Sequence, residues 1–364
     1  MTKTFRLPTS LGVAMALVVA ATTTPHDARP AHRPAPAPVA STAPAGNAAP
    51  LYRRAIEILE RDASLNDLGA ESTLTAQAQR TLDDAAALIE LLKSAATMAE
   101  CDWGDAFDLA EAGTLGQLRH LAGLCVLQSR LEWSRQRHEP AIDALLAGAG
   151  LGRHVGQTPL LMAKLVEMGI SEQVTAEMAA ELPALPEDVV ASLPTRLEAM
   201  PRSATFAQVI LGEHAFAVEM IRQGDPEPTG GAKLNAAALR SAKPWYVAVA
   251  DAAHLPPTDF AAVVDTELAK LADSPAHGIA TDVAAVLKPI RVPTAAHEAR
   301  EAMLRTAVDV VLNGPDAAKR SHDPFGDGPF EYRRLPSGFE LRSRLRTRAG
   351  PAKLIVGRPV LDAS

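Results

Sequence analysis

The chain has 364 residues, is 47% hydrophobic but only 4% aromatic, and carries a formal net charge of −7. Alanine and leucine dominate its apolar content, and these favour helix where aromatic and β-branched residues favour strand. The acidic balance argues against a general grip on nucleic acid, and the length suits one large domain or two smaller ones.

Residues 1–21, "MTKTFRLPTSLGVAMALVVAA", open with Lys3 and Arg6 and continue into an apolar run that ends in small residues. This is the build of a secretory signal peptide. The run is short for a bilayer span, which needs about 20 apolar residues. The expected location is therefore periplasmic or extracellular, with no permanent membrane span after cleavage; an uncleaved signal would act as an N-terminal anchor. Residues 22–50 are rich in proline and alanine and read as a disordered linker.

From Leu51 an amphipathic pattern begins. "LYRRAIEILERDA" reads as a short helix, and Leu74, Ala78, Leu82, Ala85, Ile89, Leu92 and Ala96 fall on one face of a second. Leu115, Leu118, Leu121, Cys125 and Leu131 mark a third, expected to pair antiparallel with the second across the loop containing "CDWGD". Further helices are expected at 139–148, 157–168, 171–182, 186–199, 204–223, 257–272 and 295–312. No fixed repeat period is visible. The fold class is mainly α: stacked antiparallel helices in an irregular, helical-repeat-like bundle over residues 51–294. Residues 295–364 add a helix and a small β-hairpin or three-stranded sheet. That sheet rests on the period-two alternation of Phe330, Tyr332 and Arg334, then of Phe339, Leu341, Ser343 and Leu345, across Pro336-Ser337-Gly338.

Few residues point to chemistry. Cys101 and Cys125 are the only cysteines, and in an exported chain they could form a disulfide; the alternative is one half-exposed and one buried thiol. Asp102, Asp105 and Asp108 flank Trp103, which suits either a cation or sugar site or a capped turn beside a core tryptophan. Glu213 falls inside the apolar stripe of "SATFAQVILGEHAFAVEMIRQ", with His214 at its edge. A carboxylate there is either an acid or base of raised pKa lining a cleft, or a core group held by an arginine or by backbone amides of another helix. Gly152 and Gly156 bracket Arg153 and His154 ahead of an apolar helix; this is a weak anion-site pattern or a plain connection. The histidines lack metal-ligand spacing, and no residue pattern calls for a cofactor. Arg333, Arg334, Arg342 and Arg344 form a basic strip that either meets an anionic partner or protects an edge strand from aggregation.

"LYRRAIEIL", "CDWG", "LGRHVGQTPLL" and "DPFGDGPFEYRR" together resemble a group of uncharacterised exported proteins of planctomycete-type bacteria. In that group, and in some pseudopilin-like proteins, a helix leads into an Asp-Pro-Phe-x-Gly-x-Pro-Phe-x-Tyr segment and a closing hairpin. Gly328 here replaces a basic residue, and the strand after "GFEL" continues with arginines. The resemblance implies no activity. The expected function is a non-catalytic interaction or scaffold protein of the cell envelope, whose partner is an envelope protein or anionic polymer. The alternatives are an envelope hydrolase using buried carboxylates and, on the terminal resemblance alone, a secretion- or pilus-associated component.

Overall fold

A computed structural model describes residues 46–70, 72–104, 112–222 and 236–358. The signal peptide, most of the linker, Asp105 and Asp108 lie outside them. The described chain forms α1 (Ala49–Arg61), α2 (Ala63–Asn66), α3 (Ala76–Asp84), α4 (Ala86–Ala96), α5 (Ala112–Ser134), α6 (His138–Val155), α7 (Leu161–Glu181), α8 (Glu187–Glu198), α9 (Phe206–Arg222), α10 (Ala236–Asp251), α11 (Pro257–Ala269) and α12 (His277–Asn313), then β1 (Glu331–Leu335), β2 (Gly338–Thr347) and β3 (Gly350–Val356). The packed helices and the small antiparallel sheet, ordered β1-β2-β3, agree with the expected fold class.

Several boundaries differ from expectation. Residues 46–50 are not linker: Asn47 bridges to Glu100, and Ala48 and Ala49 are fully buried. Pro50 suits the first turn of a helix, where its missing N–H costs nothing. The long second helix breaks at Ala85 into α3 and α4. Leu82 of α3 meets Leu127 and Leu131 of α5, whereas α4 packs chiefly on α6. "LGRH" is not a connection but the end of α6. The two helices expected over 157–182 are one, α7. Two helical stretches are hidden in the sequence because each contains proline: α10 holds Pro244, and the first half of α12 leads to Pro289 and Pro293.

The apolar stripes meet in two main clusters. The larger joins α1, α4–α8, the second half of α12 and the inner face of the sheet. The smaller joins the start of α9, α10, α11 and the first half of α12. The expected division at 294/295 therefore falls inside one helix, yet it marks a real change of partners: Ile290 belongs to the smaller cluster and Ala295 to the larger. Each fully buried leucine contributes about 2 kcal/mol by removal from water.

The sheet lies on α7 and α12. Tyr332, Leu341 and Leu354 align across the strands, as do Arg334, Phe339 and Val356. Residues directly opposite share a face, so Arg334 belongs with the aromatic face and Arg333 with the outer one. The register shifts between Arg342 and Arg346. Asp323 holds that irregularity: its fully buried carboxylate accepts from the Arg344 N–H at 2.6 Å, the Ser343 hydroxyl at 2.8 Å and the Phe325 N–H at 3.0 Å. The "DPFGDG" stretch is thus a turn built around one buried acid.

Candidate functional site

"CDWG" and "LGRHVG" come together in space. Tyr52 of α1 stacks on Trp103 with ring centroids 5.7 Å apart, and both meet His154 at the end of α6. The Trp103 indole N–H donates to the His154 carbonyl at 3.3 Å. His154 Nε2–H donates to the Met98 carbonyl at 2.9 Å, so its Nδ1 accepts from the Tyr52 hydroxyl at 2.9 Å. Gln157 closes the unit, accepting from the Cys101 N–H and donating to the Ala99 carbonyl, each at 2.8 Å. Asp102 is exposed and accepts from the Gly104 N–H at 2.9 Å, as a turn cap does.

Ile170 packs against Gly152 and the Glu167 carboxylate against Gly156, a setting that disfavours an anion. Burial drives the His154 imidazole down to about 4, opposed by its bond to Met98. The unfolded chain therefore binds a proton that the folded chain refuses. Stability present above pH 6.5 should fall by about 1.4 kcal/mol per unit as pH drops toward 4. Urea midpoints taken across that range should show the slope, and His154→Gln should flatten it.

The disulfide does not form. Cys101 and Cys125 are both free and both buried, so neither is the half-exposed thiol of the alternative. Cys101 is fixed in the segment tied to Gln157, and the Cys125 Cβ packs beside Gly148 of α6. Burial pushes the Cys125 thiol up to about 12, with Lys93 opposing, and raises Cys101 as well. Neither is a reactive thiolate at neutral pH.

Glu213 adopts the second of its two expected roles. Its carboxylate accepts the Leu161 N–H at 2.6 Å and so occupies the N-terminus of α7. His214 has partners of its own: its Nε2–H donates to the Leu239 carbonyl at 3.1 Å and its ring lies 4.8 Å from that of Tyr246. No hydrogen bond or ion pair among the described residues joins Glu213 to Asp102 or His154. Burial raises the Glu213 pKa more than the Leu161 bond lowers it. A carboxyl with a raised folded pKa stabilises most below its unfolded pKa, and that stability is lost as pH rises through the folded value. Glu213→Gln, which keeps an acceptor oxygen, should therefore gain stability relative to the parent as pH is raised from 4 to 8. Calorimetric melts at each pH would test this.

The strongest concentration of buried charge was not among the expected residues. Glu167 of α7 is fully buried. Lys164 Nζ lies 2.8 Å from its Oε2 and donates to the Ala204 carbonyl at 3.1 Å. His297 of α12 lies 4.0 Å from Glu167 Oε1 and 3.5 Å from Glu301 Oε1, and Glu301 is paired with Arg153. Burial lowers the His297 pKa, while Glu301 and Glu167 oppose it. Gly156 makes the space: a methyl group there would overlap the Glu167 carboxylate. Glu167, Arg153 and Glu301 border a cavity of about 40 Å³ that Ser171, Thr175 and Arg305 also line. A signal existed in the sequence. Ala163, Glu167, Ile170, Val174 and Met178 recur at helical spacing, so Glu167 sits in an apolar stripe just as Glu213 does.

Among the described residues no group of three or more His, Cys, Asp or Glu side chains could hold a metal ion, and no helix is long and apolar enough to cross a membrane. Comparison with family models, with curated proteins and with solved structures finds no match.

Proposed function

We propose that this chain is an exported, non-catalytic interaction protein of the bacterial cell envelope, and that the outer face of its terminal sheet meets an anionic polymer. The observation behind this reading is the strand register, which sets Arg333 beside Glu340 and Glu331 beside Arg342 and Lys353. Glu340 is buried beneath Arg342 and Lys353 and is matched by them. Arg333, Arg344, Arg346 and Arg348 remain exposed on or near this face of an otherwise acidic chain. Arg334, on the other face, contributes less. A hydrolase built on Glu213 and Asp102 has less support, because each is committed to a backbone N–H in a different part of the fold.

Retention of the mature chain on immobilised dextran sulfate tests the proposal. The parent should bind at low salt and elute as salt screens the contact. Arg333→Glu/Arg344→Glu/Arg346→Glu should elute at clearly lower salt with an unchanged melting temperature, since all three side chains are exposed. Equal retention of parent and variant would sink the reading.

A further inference from the structure

We propose that the cleft between α7, α8 and α12 binds a small amino-carboxylate, its ammonium group against Glu167 and its carboxylate against Arg305. Glu167 Oε1 has no hydrogen-bond partner, although the side chain is only 1% exposed. A buried carboxylate oxygen without a donor is costly and is rarely left so. The cavity of about 40 Å³ that it lines has room for an ammonium head or a few waters. A groove of about 270 Å³ lies beside it along Pro194, Leu197, Glu198 and Val308, and Leu197 and Arg305 line both spaces. A small cavity with charged groups among apolar ones thus adjoins a larger, partly apolar groove.

Charge selects the ligand class. Lys164 already faces Glu167 Oε2, and Arg153 already holds Glu301. Two positions stay unmatched: Glu167 Oε1, which has no hydrogen-bond donor, and Arg305 in the same lining. An amine alone or an acid alone would meet only one of them, whereas an amino-carboxylate meets both. Arg305 is exposed at the mouth and forms no ion pair among the described residues, so its guanidinium is open to a carboxylate. This proposal uses none of the residues of the basic sheet face, so it and the polymer proposal fail separately.

The test is calorimetric titration of the mature chain with ω-amino acids from glycine to 8-aminooctanoate. One chain length should bind saturably and best, at the separation that spans Glu167 and Arg305. The amine and the carboxylic acid of that length should each bind about tenfold more weakly or worse. Arg305→Met alters an exposed side chain and should fold normally while weakening the best ligand about tenfold. Glu167→Gln should do the same; if that variant fails to fold, Arg305→Met decides. Saturable binding by no member of the series would overturn the proposal. So would an amine that binds as well as its amino acid, or unchanged affinity in Arg305→Met.

Discussion

Arg291→Ala should lose about 3 kcal/mol of stability or more, read as a lower urea midpoint at unchanged slope. Arg291 is the largest fully buried side chain among the described residues and lies between Pro289 and Pro293 in α12. Its Nε donates to the Leu255 carbonyl at 3.1 Å, and its two terminal nitrogens donate to Glu298 at 2.9 and 3.3 Å. The guanidinium carbon is 5.7 Å from the centre of the Phe206 ring and 5.4 Å from that of Phe325. One side chain thereby joins the start of α9, the turn between α10 and α11, and the "DPFG" turn that leads into the sheet. Truncation leaves a cavity, an unpaired Leu255 carbonyl and two rings that have lost their cation contact. Arg291→Lys should recover only part of the loss, because an ammonium cannot reproduce the planar fork between two rings. Glu298 is 39% exposed, so Glu298→Gln should cost much less, about 1 kcal/mol. A loss below about 1 kcal/mol in Arg291→Ala would mean that the two clusters are held together by apolar packing alone.

Gly212→Ala should be destabilising by about 2 kcal/mol, although alanine is the better helix former by about 1 kcal/mol. A methyl group on Gly212 would overlap the carbonyl oxygen of Pro159 and lie 2.9 Å from its carbon. Backbone cannot rotate aside as a flexible side chain can. Relief requires moving the turn that delivers the Leu161 N–H to Glu213, so the helix cap is strained as well. The control has the opposite sign. At Gly169, inside α7, a methyl group would meet nothing within 4 Å, and Gly169→Ala should stabilise by up to about 1 kcal/mol. Melting temperatures of the two variants should move in opposite directions from the parent.

The parts of this protein that were legible in its sequence are those governed by local periodicity. The hairpin could be read because period-two alternation flanks Pro336-Ser337-Gly338, and β1 and β2 form on either side of that turn. Glu213 could be singled out because a charged residue interrupted an apolar stripe. Its structural role as a ligand of another helix's amide was one of two readings that its position allowed. Helices α10 and the first half of α12 were not legible, because Pro244, Pro289 and Pro293 look like breaks. Tertiary burial keeps these helices continuous despite the lost hydrogen bonds.

Pairing is where sequence reading stopped. Cys101 and Cys125 could be read as a disulfide or as two separate thiols, because a sequence does not show how two cysteines approach each other. The apolar stripe of α7 marks Glu167 as facing inward, but not what it meets: Ala204, His297 and Gly156 come from distant parts of the chain. Asp323 looked like one turn residue among several, until the fold set the Ser343 hydroxyl and Arg344 amide against it. The sequence by itself determined a helical body with a small antiparallel sheet, since helical and strand periods are local properties of the chain. Which carboxylates are buried, what they face and where a cleft opens were decided by tertiary structure, because desolvation and pairing depend on residues that are distant in sequence and adjacent only once the helices pack.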